Sequence, residues 1–175
     1  GVAATYGDIV VTSAEIDAIA AAWELDSDGA AVPDRREIVT YAVLGPDLLA
    51  AASDQGIDIG EADAETIATA WFVYAGVEDP QVTGPVIETA RALLALYVLA
   101  YSDPTGAAIE AVADRAQAEA SFSPRLGEFS TEALVASVQQ AMGQAEAAQL
   151  GNYAFVAFLD VSGFTGGDAD WAARG

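Results

Sequence analysis

The chain has 175 residues, 53% of them hydrophobic, and its 27 acidic side chains against six arginines give a formal net charge of −21. Histidine, cysteine and lysine are all absent, which excludes Ser-His-Asp and Cys-His catalysis, the common zinc sites and Schiff-base chemistry. So negative a chain is also expected to repel nucleic acid and anionic membranes, because recognition of both depends on Lys and Arg.

A segment with β-branched residues lies near the start of the chain at residues 6–11, where the sequence YGDIVV predicts a short strand or an extended arm. Thr12 and Glu15 then have the spacing of a capping box, in which each side chain bonds the other residue's backbone N–H at a helix start. We therefore expect the first helix to begin there and to run to about Leu25.

The turn after this helix, residues 24–29 with the sequence ELDSDG, resembles the front half of an EF-hand calcium loop. Arg35 stands where such a loop needs a bidentate glutamate, and its charge would repel the ion. A capped polar turn is the favoured interpretation, and a calcium site is the alternative.

Three more helices are expected in the middle of the chain. Pro33 and Asp34 begin a long one that the pair Gly45-Pro46 should bend or break. The next covers residues 61–75, and the fourth, residues 85–101, has the strongest apolar stripe of the chain. The longest strongly apolar run, residues 92–100, is too short to cross a membrane.

Four apolar residues in a row, residues 71–74, lie near the end of the third helix. Ile67, Trp71 and Tyr74 can face the core together, so Phe72 or its neighbour must point elsewhere. Packing in the core is the favoured interpretation. The alternative is an exposed apolar patch that binds peptides, with Trp71, Phe72 and Tyr74 as the candidate site residues.

The second half of the chain predicts a shorter helix that fades near Arg115, a strand over residues 116–122, and a helix that Ser130 caps. Residues 153–161 (YAFVAFLDV) predict a buried strand or apolar segment, and the stretch from Gly163 onward a loose tail. The fold class is therefore mainly α: a small helical bundle whose N-terminal strand pairs with the strand near 116–122.

The order of these elements resembles the N-terminal chaperone domain of SurA-type proteins. That family begins with a valine-glycine-aspartate strand and a capped helix, as in residues 6–17. It continues with a long helix that starts with arginine and ends in a glycine-isoleucine step, as in residues 35–63. Residues 122–127 (FSPRLG) are similar to the asparagine-proline-arginine-tyrosine-glycine motif of actinobacterial lipoproteins in this family, and residues 130–175 have no counterpart.

The resemblance implies that residues 1–129 form a non-catalytic domain that binds unfolded or exported polypeptides in the cell envelope. Residues 130–175 are expected to pack on the same domain. Some members of the family carry a parvulin-type isomerase domain, which needs histidines, so no isomerase activity is expected. No catalytic residue, metal or cofactor is expected either.

Membrane contact is expected only through a lipid anchor removed before Gly1, because a chain that starts with glycine indicates a processed form. Two other classes of function stay open. One is an acidic interaction protein, such as a DNA mimic or an inhibitor of a basic partner. The other is a hydrolase that uses a pair of carboxylates.

Overall fold

The computed structural model describes residues 1–173, and the first element in it is a β-hairpin. Strands β1 (Val2–Tyr6) and β2 (Ile9–Thr12) pair antiparallel across a turn at Gly7 and Asp8. The single strand predicted for residues 6–11 is therefore wrong, because Gly7 adopts a positive φ of 56° and reverses the chain there.

A third strand, β3 (Ser121–Phe122), pairs with the other side of β1, so the sheet has the order β2-β1-β3. The predicted pairing of the N-terminal strand with the segment near 116–122 is confirmed. Most of that segment is nevertheless helical, because the preceding helix continues to Glu119. Its alanines explain the error: Ala113 and Ala116 lie three residues apart and are both buried on one helix face.

The mainly α fold class is confirmed, since 66% of the chain is helical. Within residues 1–173, seven α-helices follow the hairpin: α1 (Ser13–Asp26), α2 (Arg35–Asp54), α3 (Glu61–Tyr74), α4 (Gly84–Ser102), α5 (Ala107–Glu119), α6 (Thr131–Ala147) and α7 (Ala169–Ala173). The capping box of Thr12 and Glu15 begins α1, and Ser130 caps α6 as expected.

Helix α2 continues through Gly45 and Pro46, where the sequence predicts a bend or a break. Pro46 has no N–H, so the carbonyl of Ala42 loses its usual donor four residues later. Extensive packing of α2 against α4 holds the helix together despite this loss. Gly45 makes the close approach of the two helices possible, because a Cβ added there would lie 3.1 Å from the Cβ of Ala92.

Helix α4 is central to the core, where it packs against α1, α2 and α3. It is the one helix among residues 1–173 that is long and apolar enough to cross a membrane by length and composition alone. Half of its most apolar stretch is buried inside the domain, and a core helix meets the same criterion.

The segment predicted as a buried strand over residues 153–161 is a 3₁₀ helix (Gly151–Asp160). Phe155, Phe158 and Val161 are buried at a spacing of three residues, which is the period of a 3₁₀ helix. This helix packs on α6 and α4, and the hydroxyl of Tyr41 donates a hydrogen bond to the Phe158 carbonyl. The described residues from 130 to 173 thus contribute to the same core as the rest of the domain.

The tail from Gly163 onward is ordered where the structure describes it, so the predicted loose tail is wrong for residues 163–173. Strand β5 (Phe164–Thr165) pairs antiparallel with β4 (Glu128–Phe129), and α7 follows. Two arginines hold this segment: Arg36 donates to the Gly166 carbonyl, and Arg125 pairs with Asp168 at 3.4 Å. Residues 174 and 175 lie outside the described part of the chain.

Candidate functional site

An apolar groove lies where β2, α1, α2 and α4 meet. Its volume is about 510 Å³, which is within the usual range of ligand pockets. The residues that line it are Ile9, Val10, Val11, Glu15, Ala18, Ile19, Tyr41, Ala42, Gly45, Pro46, Leu49, Pro85, Glu88, Thr89, Arg91 and Ala92.

The N-terminal hairpin forms one wall of the groove, with Ile9, Val10 and Val11 along it. Tyr6 fixes this wall to α2, since its hydroxyl donates a 2.6 Å hydrogen bond to the Asp47 carboxylate. The guanidinium of Arg115 lies 5.8 Å from the centre of the Tyr6 ring and 3.7 Å from Asp47. The position of the strand therefore depends on a contact between residues that are distant in the sequence.

Another wall is formed by α2, through Ala42, Gly45, Pro46 and Leu49. The proline removes the intrahelical donor that the Ala42 carbonyl would otherwise have, and both residues line the groove. This wall thus combines apolar side chains with a backbone carbonyl that lacks its intrahelical donor.

Three charged side chains line the groove: Glu15, Glu88 and Arg91. The backbone N–H of Thr12 donates to the Glu15 carboxylate at 2.7 Å and its hydroxyl at 2.8 Å, and these bonds lower the pKa of Glu15. The Nε of Arg91 donates to the Ile59 carbonyl at 2.7 Å, so part of its hydrogen-bonding capacity is already used. The charged lining is therefore negative on balance.

The acidic character extends over the whole domain. Each arginine among residues 1–173 makes a hydrogen bond or an ion pair within the chain: Arg35, Arg36, Arg91, Arg115 and Arg125. These cations support the fold, and the excess of carboxylates faces the solvent without a matching number of positive charges.

The structure separates the three residues predicted as a peptide-binding patch. Trp71 and Phe72 are buried in an aromatic cluster with Trp23, whose ring centre lies 5.4 Å and 5.8 Å from theirs. Tyr74 is 61% exposed and stacks on Tyr153, with 4.3 Å between the ring centres. Trp71 and Phe72 therefore have core positions, whereas Tyr74, expected to face the core, is on the surface.

A second depression, of about 730 Å³, lies between α4, α6 and the 3₁₀ helix. Tyr97, Tyr101 and Met142 line it, together with Gln139, Gly143 and Glu146 among others. Tyr97 is half-buried, and Tyr101 is 48% exposed. Glu146 is the one charged residue among those that line it, so this depression defines a partner less sharply than the groove does.

Buried carboxylates gather near the start of α2, away from both depressions. Asp34 and Glu37 form the capping box of α2, and burial, followed by the charge of Asp34, raises the pKa of Glu37 to about 8. Asp160 is the exposed member of this cluster. Partial desolvation, followed by the negative charge of Asp34, raises its pKa as well. The Asp34 and Glu37 carboxylates bond the helix start instead of facing each other across a cleft, so they do not form the pair that a glycosidase needs.

The calcium-like turn adopts another arrangement. The Asp26 carboxylate accepts hydrogen bonds of 2.7 Å from both the N–H and the hydroxyl of Thr83, and so joins the end of α1 to the start of α4. Within residues 1–173 no group of three or more carboxylates converges on a point where it could hold a metal ion.

Comparison of the chain with protein-family models, with curated proteins and with solved structures found no match. The resemblance to SurA-type domains therefore stays a prediction. The sequence reasoning did not identify the groove, because its residues come from four separate elements. Two local signals pointed toward it: the β-branched run of residues 9–11 and the Gly45-Pro46 pair inside a helix.

Proposed function

We propose that this protein binds extended segments of unfolded polypeptides without catalysing a reaction on them, and that the groove between β2, α1, α2 and α4 is the binding site. The observation that carries the proposal is the combination of an apolar lining with a negative charge balance. Apolar contacts are non-directional and accept many sequences, and the acidic side chains favour segments that also contain Lys or Arg.

The size of the groove sets the expected strength of binding. Two apolar side chains that leave water for the groove would contribute about 3–6 kcal/mol, from which the loss of translational and conformational freedom must be subtracted. Binding should therefore be weak and rapidly reversible, as a holdase requires. The cell envelope is the compartment that we propose, on the basis of the resemblance and of the absence of cysteine.

The test is aggregation of a chemically unfolded reporter protein, measured by light scattering with and without this chain at low and high salt. Ile19→Ser replaces a half-buried apolar residue of the groove. Leu25→Ser, on the same helix but outside the groove and 80% exposed, is the matched control. We expect suppression by the wild type and by Leu25→Ser, and a clear loss with Ile19→Ser at equal folded content.

The uncompensated acidic surface favours a second candidate, an acidic protein that binds one folded basic partner. Such binding depends on charge and falls steeply with salt, whereas apolar client binding persists. Two results would contradict binding in the groove: no suppression of aggregation at low or at high salt, and equal behaviour of the two serine variants. In either case the second candidate becomes the favoured function.

A further inference from the structure

The sheet has an unpaired edge beside the groove. In the order β2-β1-β3, strand β2 is at the edge, and no other segment of residues 1–173 pairs with its outer side. An exposed strand edge presents backbone N–H and C=O groups that can pair with an added strand.

The register identifies the residue whose groups are free. Tyr6 and Ile9 close the turn and so form a hydrogen-bonded pair, which makes the next pair, Thr5 and Val10, a non-hydrogen-bonded one. The β3 side agrees with this alternation, because the carbonyl of Ala3, two residues before Thr5, accepts from the Ser123 N–H at 2.7 Å. The N–H and C=O of Val10 therefore point away from β1.

The rest of the edge is closed. The N–H of Thr12, which is the next one to point outward, donates to the Glu15 carboxylate at 2.7 Å within the capping box. Val10 is thus the one residue of β2 whose donor and acceptor are both available, and its side chain is 52% exposed. Across the groove, the Ala42 carbonyl lacks its intrahelical donor because of Pro46.

We propose that the bound segment adds to the sheet as a strand beside β2, with its main chain paired to Val10 and alternate side chains in the groove; this inference rests on the function proposed above. Successive side chains of a strand point to opposite faces, so every second residue would enter between Ile19 and Leu49 while the others face solvent. The ligand class is therefore an extended peptide whose backbone groups are unpaired, and a preformed helix is excluded.

The net charge indicates that the added strand comes from a different polypeptide and not from a second copy of this chain. Each copy carries a formal net charge of −21, and pairing two of them edge to edge would bring these charges together. Lysine or arginine at the solvent-facing positions of the added strand would instead be attracted by the exposed carboxylates of Glu15 and Glu88 at the edge of the groove.

The experiment measures fluorescence anisotropy of a labelled nine-residue peptide that alternates valine and lysine. Val10→Pro removes the outward N–H but no hydrogen bond of the hairpin ladder, whereas Val10→Thr keeps both the N–H and the side-chain shape. We expect Val10→Pro to weaken binding about three- to tenfold and Val10→Thr to leave it nearly unchanged, since a single neutral hydrogen bond makes a difference of this order.

A second measurement uses the wild-type chain and does not depend on the folding of the proline variant. Two versions of the peptide carry backbone N-methyl groups, one on its odd residues and one on its even residues. In a strand the N–H groups of odd and even residues point to opposite edges, and only one of the two edges would pair with β2. The version methylated on the edge that pairs with β2 should not bind, and the version methylated on the outer edge should.

The outcomes separate this inference from the function on which it rests. If both methylated peptides bind equally, or if a well-folded Val10→Pro variant binds like the wild type while Ile19→Ser does not, the groove binds peptides but strand addition is wrong. If the unmodified peptide does not bind to the wild type at all, both proposals are overturned.

Discussion

Glu37 provides a direct test of the electrostatics of this core. Its side chain is 8% exposed, and its Oε1 accepts a 2.8 Å hydrogen bond from the N–H of Asp34. Burial, followed by the negative charge of Asp34, raises its pKa from 4.5 to about 8. The informative variant is Glu37→Gln, which keeps the shape and the accepting oxygen but cannot ionise.

The direction in which the free energy of unfolding changes with pH follows from proton linkage. Because the pKa of Glu37 is higher in the folded than in the unfolded chain, its contribution to stability is complete below about pH 4.5 and is lost as the pH rises through about 8. At 1.36 kcal/mol per pH unit, this one group should lower the free energy of unfolding by about 2.5 kcal/mol between pH 6 and pH 9. Glu37→Gln should not show this decrease.

The assay is urea unfolding followed by tryptophan fluorescence at pH 6, 7, 8 and 9. Glu61→Gln, at an exposed position in the first turn of α3, is the control, and its stability should differ from that of the wild type by a constant amount over this range. The difference between Glu37→Gln and the wild type should grow by about 2.5 kcal/mol. Parallel curves for the two proteins would mean that Glu37 is already ionised at pH 6, and the desolvation argument would then be wrong.

Three further substitutions, two of them with a matched control, test the packing and one hydrogen bond of the fold. Phe72→Ala should lower the free energy of unfolding by about 3–5 kcal/mol, and its exposed neighbour Val73→Ala by less than about 0.5 kcal/mol, as measured in urea; equal effects would refute the core position of Phe72. In Gly127→Ala the new Cβ would lie 2.2 Å from a carbonyl oxygen of β5, and residue 127 would have to keep a φ of 99°. Limited proteolysis should therefore cut the C-terminal segment faster in this variant. Gly143→Ala is the control, since open space surrounds Gly143, and it should not increase cleavage. Tyr6→Phe removes the hydrogen bond to the α2 carboxylate and should cost about 1.5–3 kcal/mol, with faster amide exchange in β2; unchanged exchange would show that this bond does not anchor the hairpin.

The helices could be predicted because their starts are encoded locally. Thr12 with Glu15, and Ser130, mark helix starts by side-chain bonds that span three residues, and the structure contains each of them. The apolar stripe of α4 likewise needs no information from elsewhere in the chain, and its ends agree with the prediction within one residue.

The remaining elements depend on contacts between distant residues. The apolar segment of residues 151–160 satisfies the composition of a strand, and packing against α6 and α4 selects the 3₁₀ helix. The C-terminal segment is ordered by Arg36, whose bond to Gly166 joins residues 130 positions apart. The groove was missed for the same reason, and the buried positions of Trp71 and Phe72 follow from Trp23, on another helix.

The order of the strands has a consequence for the synthesis of the chain. Strand β1 meets β2 across a tight turn, but its other neighbour requires the pairing of Ala4 with Phe122, 118 residues later. At ribosomal rates of about 5–20 residues per second, roughly 6–24 seconds separate the emergence of these two strands. During that interval the newborn hairpin has two open edges, and the arrival of β3 closes one of them. In the finished protein the hairpin keeps the edge of β2 that borders the groove, so the arrival of β3 also determines which side of the hairpin stays available.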